Sequence, residues 1–339
     1  MNRHLIIWIS LVIAFPIYIS GLGSFRVGLG LYNIILPLLV LFGFNWKKRY
    51  LYLIVFTLLY VVSISLNSDL FKLLNFAFAL TFIFQIFGTN QILSQGDREI
   101  VFRWVEIIIL TNISLYIFDA LLLRDHIFYI SDKAVLGLPR MKGYFPEPSH
   151  LGIFLAVVLC RYKLRSFKFI MFFLALLVCQ SFFGYALFTF LRFRRSRALF
   201  VAAIAILIAN FSAELFFSNS GLVRLFGLGY LINSPHNIPF IGHGIGFGQR
   251  FFESIGTNYG LNEFTGFFAD FVLDLGLFGV FMIFLVMKIK LKLRMDELLL
   301  FVIVYLNVGL AVGVFVVVMG LFNLILNEKL DKESIEKAL

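Results

Sequence analysis

Apolar residues run along this chain in long blocks, separated by short polar and basic clusters. A helix needs about 20 apolar residues to cross the hydrocarbon layer. Blocks at 5–20, 27–44, 50–66, 70–88, 100–123, 149–161, 168–191, 198–217, 264–287 and 298–326 are predicted as helical spans. The pattern predicts an all-α, polytopic integral membrane protein of roughly 10–12 transmembrane or re-entrant helices, one domain over 1–339. The apolar run that follows Asn2-Arg3-His4 lacks a small-residue cleavage site and meets a second span at once, so it is predicted to be a retained first helix.

Basic clusters set the expected topology. Lys47-Lys48-Arg49, Arg161 to Lys168, Arg192 to Arg197 and Lys288 to Arg294 should face the cytoplasm by the positive-inside rule. Counting from a cytoplasmic N-terminus places loop 124–148 outside and the turn 161–168 inside. A single crossing over 168–191 would then put the Arg192 cluster outside. The run Gln180-Ser181-Phe182-Phe183-Gly184 interrupts that block near its middle, and a chain that breaks and returns there keeps both clusters inside. Such a break is tolerated where protein or water covers the freed backbone groups. Loop 218–263 then also lies outside, so two substantial loops share one face and are expected to meet over a lipid-accessible cleft. The chain after residue 326 is left unplaced.

Composition sharpens the class. Of 339 residues, 61% are hydrophobic and 14% charged, against roughly 25% charged in a soluble domain. The formal charge of +10 would suggest nucleic acid in a soluble protein; here much of it sits in the topological clusters, so no nucleic acid is expected. Cys160 and Cys179 both fall in apolar spans and support neither a disulfide framework nor a metal site. No His/Cys/carboxylate cluster has metal-ligand spacing, and no cofactor is expected.

Polar chemistry gathers in two places. The first is Arg140-Met141-Lys142-Gly143-Tyr144-Phe145-Pro146-Glu147-Pro148-Ser149-His150, at the mouth of span 149–161. The second is loop 218–263, with Arg224, His236 and the alternating Gly242-His243-Gly244-Ile245-Gly246-Phe247-Gly248-Gln249-Arg250. Glycines let backbone amides approach a ligand closely and can cradle phosphate, although they also serve tight turns. No strand precedes this run, which excludes a nucleotide-binding fingerprint.

An Arg followed by Gly-aromatic-x-Glu-Pro-Ser resembles an element of bacterial O-antigen and exopolysaccharide polymerases of the Wzy type. The resemblance continues through Ser181-Phe182-Phe183-Gly184, Arg224, the Pro239 to Gly246 element and Asn262. It ends on Asp274-Leu275-Gly276-Leu277-Phe278-Gly279. These elements are individually weak motifs, but they stand in family order from 140 to 280. The resemblance implies a glycosyltransferase of the bacterial cytoplasmic (inner) membrane that polymerises undecaprenyl-diphosphate-linked repeat units on the outer face. A chain-length regulator and a flippase are its expected partners. Related O-antigen ligases often carry a His beside the late Asn; Leu261 stands there, which favours a polymerase and leaves Asn262 without an assigned role.

Residue chemistry suits that reaction. A leaving diphosphate needs cations, and the guanidinium fork matches phosphate. Arg140 and Arg224 are the first candidates, with Arg250 and Lys142 behind them; the alternative is that each snorkels to the headgroup interface. Glu147, fixed between two prolines, is the candidate base for the acceptor hydroxyl, or else a helix cap or a partner of Arg140. Ser149 is read as an N-cap. His243 is the candidate diphosphate contact or proton shuttle, with a solvated loop histidine as the alternative. Arg103 and Glu106 share a helical face and are expected to pair. Asp270 and Asp274 also share a face; such acids suit partnership with loop arginines or a cation pathway, which keeps a transporter or flippase as the rival class. No internal repeat supports that rival.

Overall fold

The computed structural model describes residues 3–14, 18–19, 29–30, 93–123, 129–130, 139–145, 148–193, 227, 229–256, 267–289, 317–325 and 328. Helices account for 80% of these, so the all-helical expectation holds at the level of class. Two compact units interleave in sequence. The first comprises Met1–Phe44, Asn90–Leu207 and Gly313–Leu339; the second comprises Asn45–Thr89 and Ile208–Val312.

The first unit contains α1 (Arg3–Ala14), α2 (Gln95–Phe118), α3 (Pro148–Leu159), α4 (Phe167–Cys179) and α5 (Phe182–Phe193). Two minimal antiparallel ladders accompany them: β1 (Tyr18–Ile19) with β2 (Leu29–Gly30), and β3 (Tyr129–Ile130) with β4 (Arg140–Met141). Ser94 starts α2 by accepting the amide of Asp97, and the helix widens into a π turn over Asp119–Leu123. The stretch Gln95–Leu122 is the one helix among the described residues that is long and apolar enough to cross a membrane. Its outward residues Ile100, Trp104, Ile107, Leu110 and Ile117 are large and apolar.

Every residue of α3 is buried, as expected of a helix that is apolar all round. Twelve residues reach only about 18 Å, so α3 is enclosed by protein along a path shorter than a full crossing. It packs on α4 and α5. Closeness there depends on small residues: a side chain at Gly184 would run into the Gly152 backbone, and one at Gly152 into Ser181. Small residues are how helices approach where lipid removes the hydrophobic drive for association.

The block 168–191 breaks as its sequence suggests. Gln180 ends α4 in the left-handed region (φ 47°), and Ser181 caps α5 by accepting the amide of Gly184 at 3.1 Å. The two helices run antiparallel. Phe173 and Phe169 of α4 meet Phe188 of α5 at ring-centroid distances of 5.5 and 6.1 Å, and Arg192 stands over Phe169. Arg192 and the turn before α4 therefore share one end of the first unit.

That end is an ionic cluster. Arg161 binds Glu99 at 2.6 Å and Glu328 at 3.0 Å and lies on the Phe102 ring. Burial works against its charge, but Glu328 and Glu99 outweigh it and hold the guanidinium above its ordinary pKa. Glu106 binds Lys168 at 2.8 Å and the Tyr162 hydroxyl at 2.6 Å, so the expected Arg103–Glu106 pair gives way to a contact between elements. Burial, then the Glu106 hydrogen bond, pushes the Tyr162 hydroxyl up. Glu328 therefore lies at the same end as turn 161–168.

The described part of the second unit centres on α6 (Phe247–Gly256) and α7 (Phe267–Ile289). Leu231, Phe252, Ala269, Val272 and Leu273 form its core, with Tyr230 edge-on to Phe252. The block 264–287, predicted as one span, breaks at Gly276 (φ 70°, ψ 170°). Only part of the last block, 317–325, is described; Gly320 there lies under the Trp8 ring of α1.

Candidate functional site

In the first unit, segment 139–145 is fastened to α2. The Tyr116 hydroxyl donates to the Pro139 carbonyl at 2.9 Å, and the Tyr144 amide donates to Asn112 Oδ1 at 2.7 Å. Gly143 (φ 59°) lies so close to Asn112 that a side chain would collide with it. Met141 and Phe145 are buried, the latter against Phe154. These anchors leave Lys142 half-buried and Tyr144 exposed.

Arg140 follows from that fastening. It lies on β4 against α4, and its guanidinium donates to the Gln180 carbonyl at 3.2 Å. A cation suits the end of α4, where terminal carbonyls lack intrahelical partners. Arg140 thus turns to a helix break instead of snorkelling outward. Glu147 lies outside the described residues. Helix α3 begins at Pro148, so Ser149 is a buried first-turn residue and not the cap. Proline favours the first helical position because it has no N–H to satisfy. His150 is buried in the same turn.

In the second unit, segment 239–248 is threaded along the break in α7. The break frees amides at the start of one half-helix and carbonyls at the end of the other. Leu277 and Phe278 donate to the carbonyls of Pro239 and Phe240, each at 3.0 Å. In return, the amides of His243 and Gly244 donate to the carbonyls of Leu273 and Asp274, again at 3.0 Å. A side chain at Gly242 would strike the Asp274 and Leu275 backbone; one at Gly248 would strike Asp270. The alternating glycines allow backbone to lie on backbone.

Asp274 completes the arrangement. Its carboxylate accepts the Gly246 amide at 2.9 Å and the Gly248 amide at 2.7 Å, at the start of α6. The anion that the amides of Gly246 and Gly248 bind is therefore internal to the fold. Asp274 is buried, and its carboxylate caps the start of α6.

The His243 imidazole remains exposed, beside Phe247 at 4.4 Å between centroids. Arg250 is exposed on α6. Arg224 and Asn262 lie outside the described residues. Sequence reasoning missed Asn112 and the break at Gly276; the signals were a lone amide inside an apolar block and an Asp-Leu-Gly run inside another. No group of three or more His, Cys, Asp or Glu among the described residues has metal-holding geometry.

No family model, curated protein or solved structure matches this chain.

Proposed function

We propose that this protein is a multi-pass glycosyltransferase of the bacterial cytoplasmic membrane, joining undecaprenyl-diphosphate-linked repeat units into O-antigen, capsule or exopolysaccharide. One observation carries the reading. The motif side chains described in each unit stand at a discontinuous helix: Arg140 at the break at Gln180, and His243 beside the break at Gly276. Membrane proteins bring polar chemistry to mid-depth at broken helices whose freed backbone groups are otherwise satisfied. Outward apolar residues such as Ile107 on α2, Ile170 and Leu174 on α4, and Phe281 on α7 support lipid contact on several helices.

In the proposed reaction, Arg140, Arg224 and Arg250 are the candidate diphosphate contacts, each by its guanidinium. Glu147 removes the proton of the acceptor hydroxyl, whose oxygen bonds to the anomeric carbon of the donor glycan as the bond from that carbon to the lipid diphosphate breaks. The diphosphate leaves with the bonding electrons, and His243 contacts it or shuttles a proton.

Broken helices also favour a transporter of lipid-linked oligosaccharide as the second reading. Against it stands Asp274, one of the two acids read as a candidate cation pathway, whose carboxylate serves two backbone amides. Ligation of finished glycan to lipid A core is the second enzymatic reading. A deletion strain separates the three by its surface glycan. Loss of a polymerase leaves single repeats, loss of a ligase leaves bare core with lipid-linked polymer, and loss of a flippase traps repeats on the cytoplasmic side. Arg140→Ala and Arg224→Ala are expected to abolish the ladder at unchanged membrane abundance. A full ladder from the deletion strain removes the polymerase reading.

A further inference from the structure

We infer that Asp274 is a positioning residue that sets the reach of the His243 side chain, by holding the glycine run in place as a bound anion would. This role rests on the proposed use of His243 in transfer.

The geometry is specific. Gly246 and Gly248 both donate to the Asp274 carboxylate, at 2.9 and 2.7 Å, while the Asp274 carbonyl takes the Gly244 amide at 3.0 Å. One residue therefore binds three amides of the five-residue segment that directly follows His243. The His243 amide is bound by the preceding residue, Leu273. Both carboxylate bonds are charge-assisted and buried, where such bonds are strongest. Positive φ at Gly244 (101°) and Gly246 (89°) gives the run a shape that other residues rarely adopt. With its main chain tied at 243, 244, 246 and 248, the segment leaves the imidazole of His243 as its exposed polar group. That combination of a rigid backbone and one presented side chain is what a transfer site requires of a contact residue.

Asp274→Asn keeps size but replaces one acceptor oxygen with a donor that faces an amide, so at least one bond is lost. Turnover of lipid-linked repeats by the full-length protein in nanodiscs is expected to fall roughly ten- to a hundredfold, the size of one charge-assisted bond. In the His243→Ala background the same change is expected to cost less than about twofold, because the group it positions is gone. Amide hydrogen exchange over 243–250 is expected to quicken in Asp274→Asn. Asp274→Glu, which keeps charge and both acceptor oxygens, is expected to exchange more slowly than Asp274→Asn and to be more active. It also carries the comparison with wild type should Asp274→Asn fail to accumulate.

Unchanged exchange in Asp274→Asn, or losses that multiply fully in the double variant, overturn the inference. Wild-type turnover from His243→Ala together with faster exchange in Asp274→Asn overturns the proposed use of His243, and with it the positioning role, while leaving the loop clamp standing. Absence of any polymer from the wild-type protein overturns the proposed function, a result that exchange does not affect.

Discussion

Two helical blocks among the described residues break, and the breaks are satisfied by different means. At Gln180 the chain reverses, and side chains do the work: the Arg140 guanidinium takes the Gln180 carbonyl and the Ser181 hydroxyl takes the Gly184 amide. At Gly276 the main chain does it, through four backbone bonds from segment 239–244. The difference decides where each break is vulnerable. A break satisfied by side chains survives the loss of any one of them at modest cost. One satisfied by main chain tolerates no added atom where the two backbones touch.

The largest expected effect tests that contrast directly. Gly276→Val places a β-branched residue at φ 70° and drives its Cβ into Gly242 and the Phe240 carbonyl. Backbone strain and overpacking together are expected to cost about 4 kcal/mol or more. The check is thermal unfolding in detergent, with loss of monodisperse protein as the readout; a midpoint near wild type would show that the two backbones can part. Gly184→Val meets the Gly152 backbone on α3, where the nearest atoms are 2.8 to 3.0 Å from the added Cβ. The expected cost is roughly 1–3 kcal/mol, read as a lower melting midpoint. An equal loss at both glycines would erase the distinction between the breaks. Smallest is Ser181→Ala, which removes one cap of α5 and should cost about 1 kcal/mol. If it proved as damaging as Gly276→Val, side chains would be carrying far more of the first break than their bonds imply.

The same contrast explains what could be read in advance. Polar side chains inside an apolar block leave a mark in the sequence, so Gln180, Ser181 and Gly184 announced the reversal. Glycines at 242, 244, 246 and 248 announced close approach by backbone. What approached was ambiguous, because an amide run binds a phosphate and a buried carboxylate by the same bonds. Asp274 was legible as an acid in an apolar block, but its partners lie 26 to 28 residues away and required the tertiary fold. Glu106 was read with its helical neighbour Arg103, since local spacing is all a sequence offers; Lys168, 62 residues on, takes it instead. Asn112, which fixes Gly143 and Tyr144, looked like one amide among apolar residues.

By itself the sequence determined the helical class, the basic turn 161–168, the reversal at Gln180 and the segments in which polar chemistry gathers. Each of these follows from composition and local order. Tertiary structure alone decided which groups complete each helix break, that α3 is wholly enclosed, that Glu328 pairs with Arg161, and that the glycine run is filled by Asp274. The physical reason is common to all four. A buried backbone or charged group must find a partner, and a sequence states that need without stating which distant residue meets it.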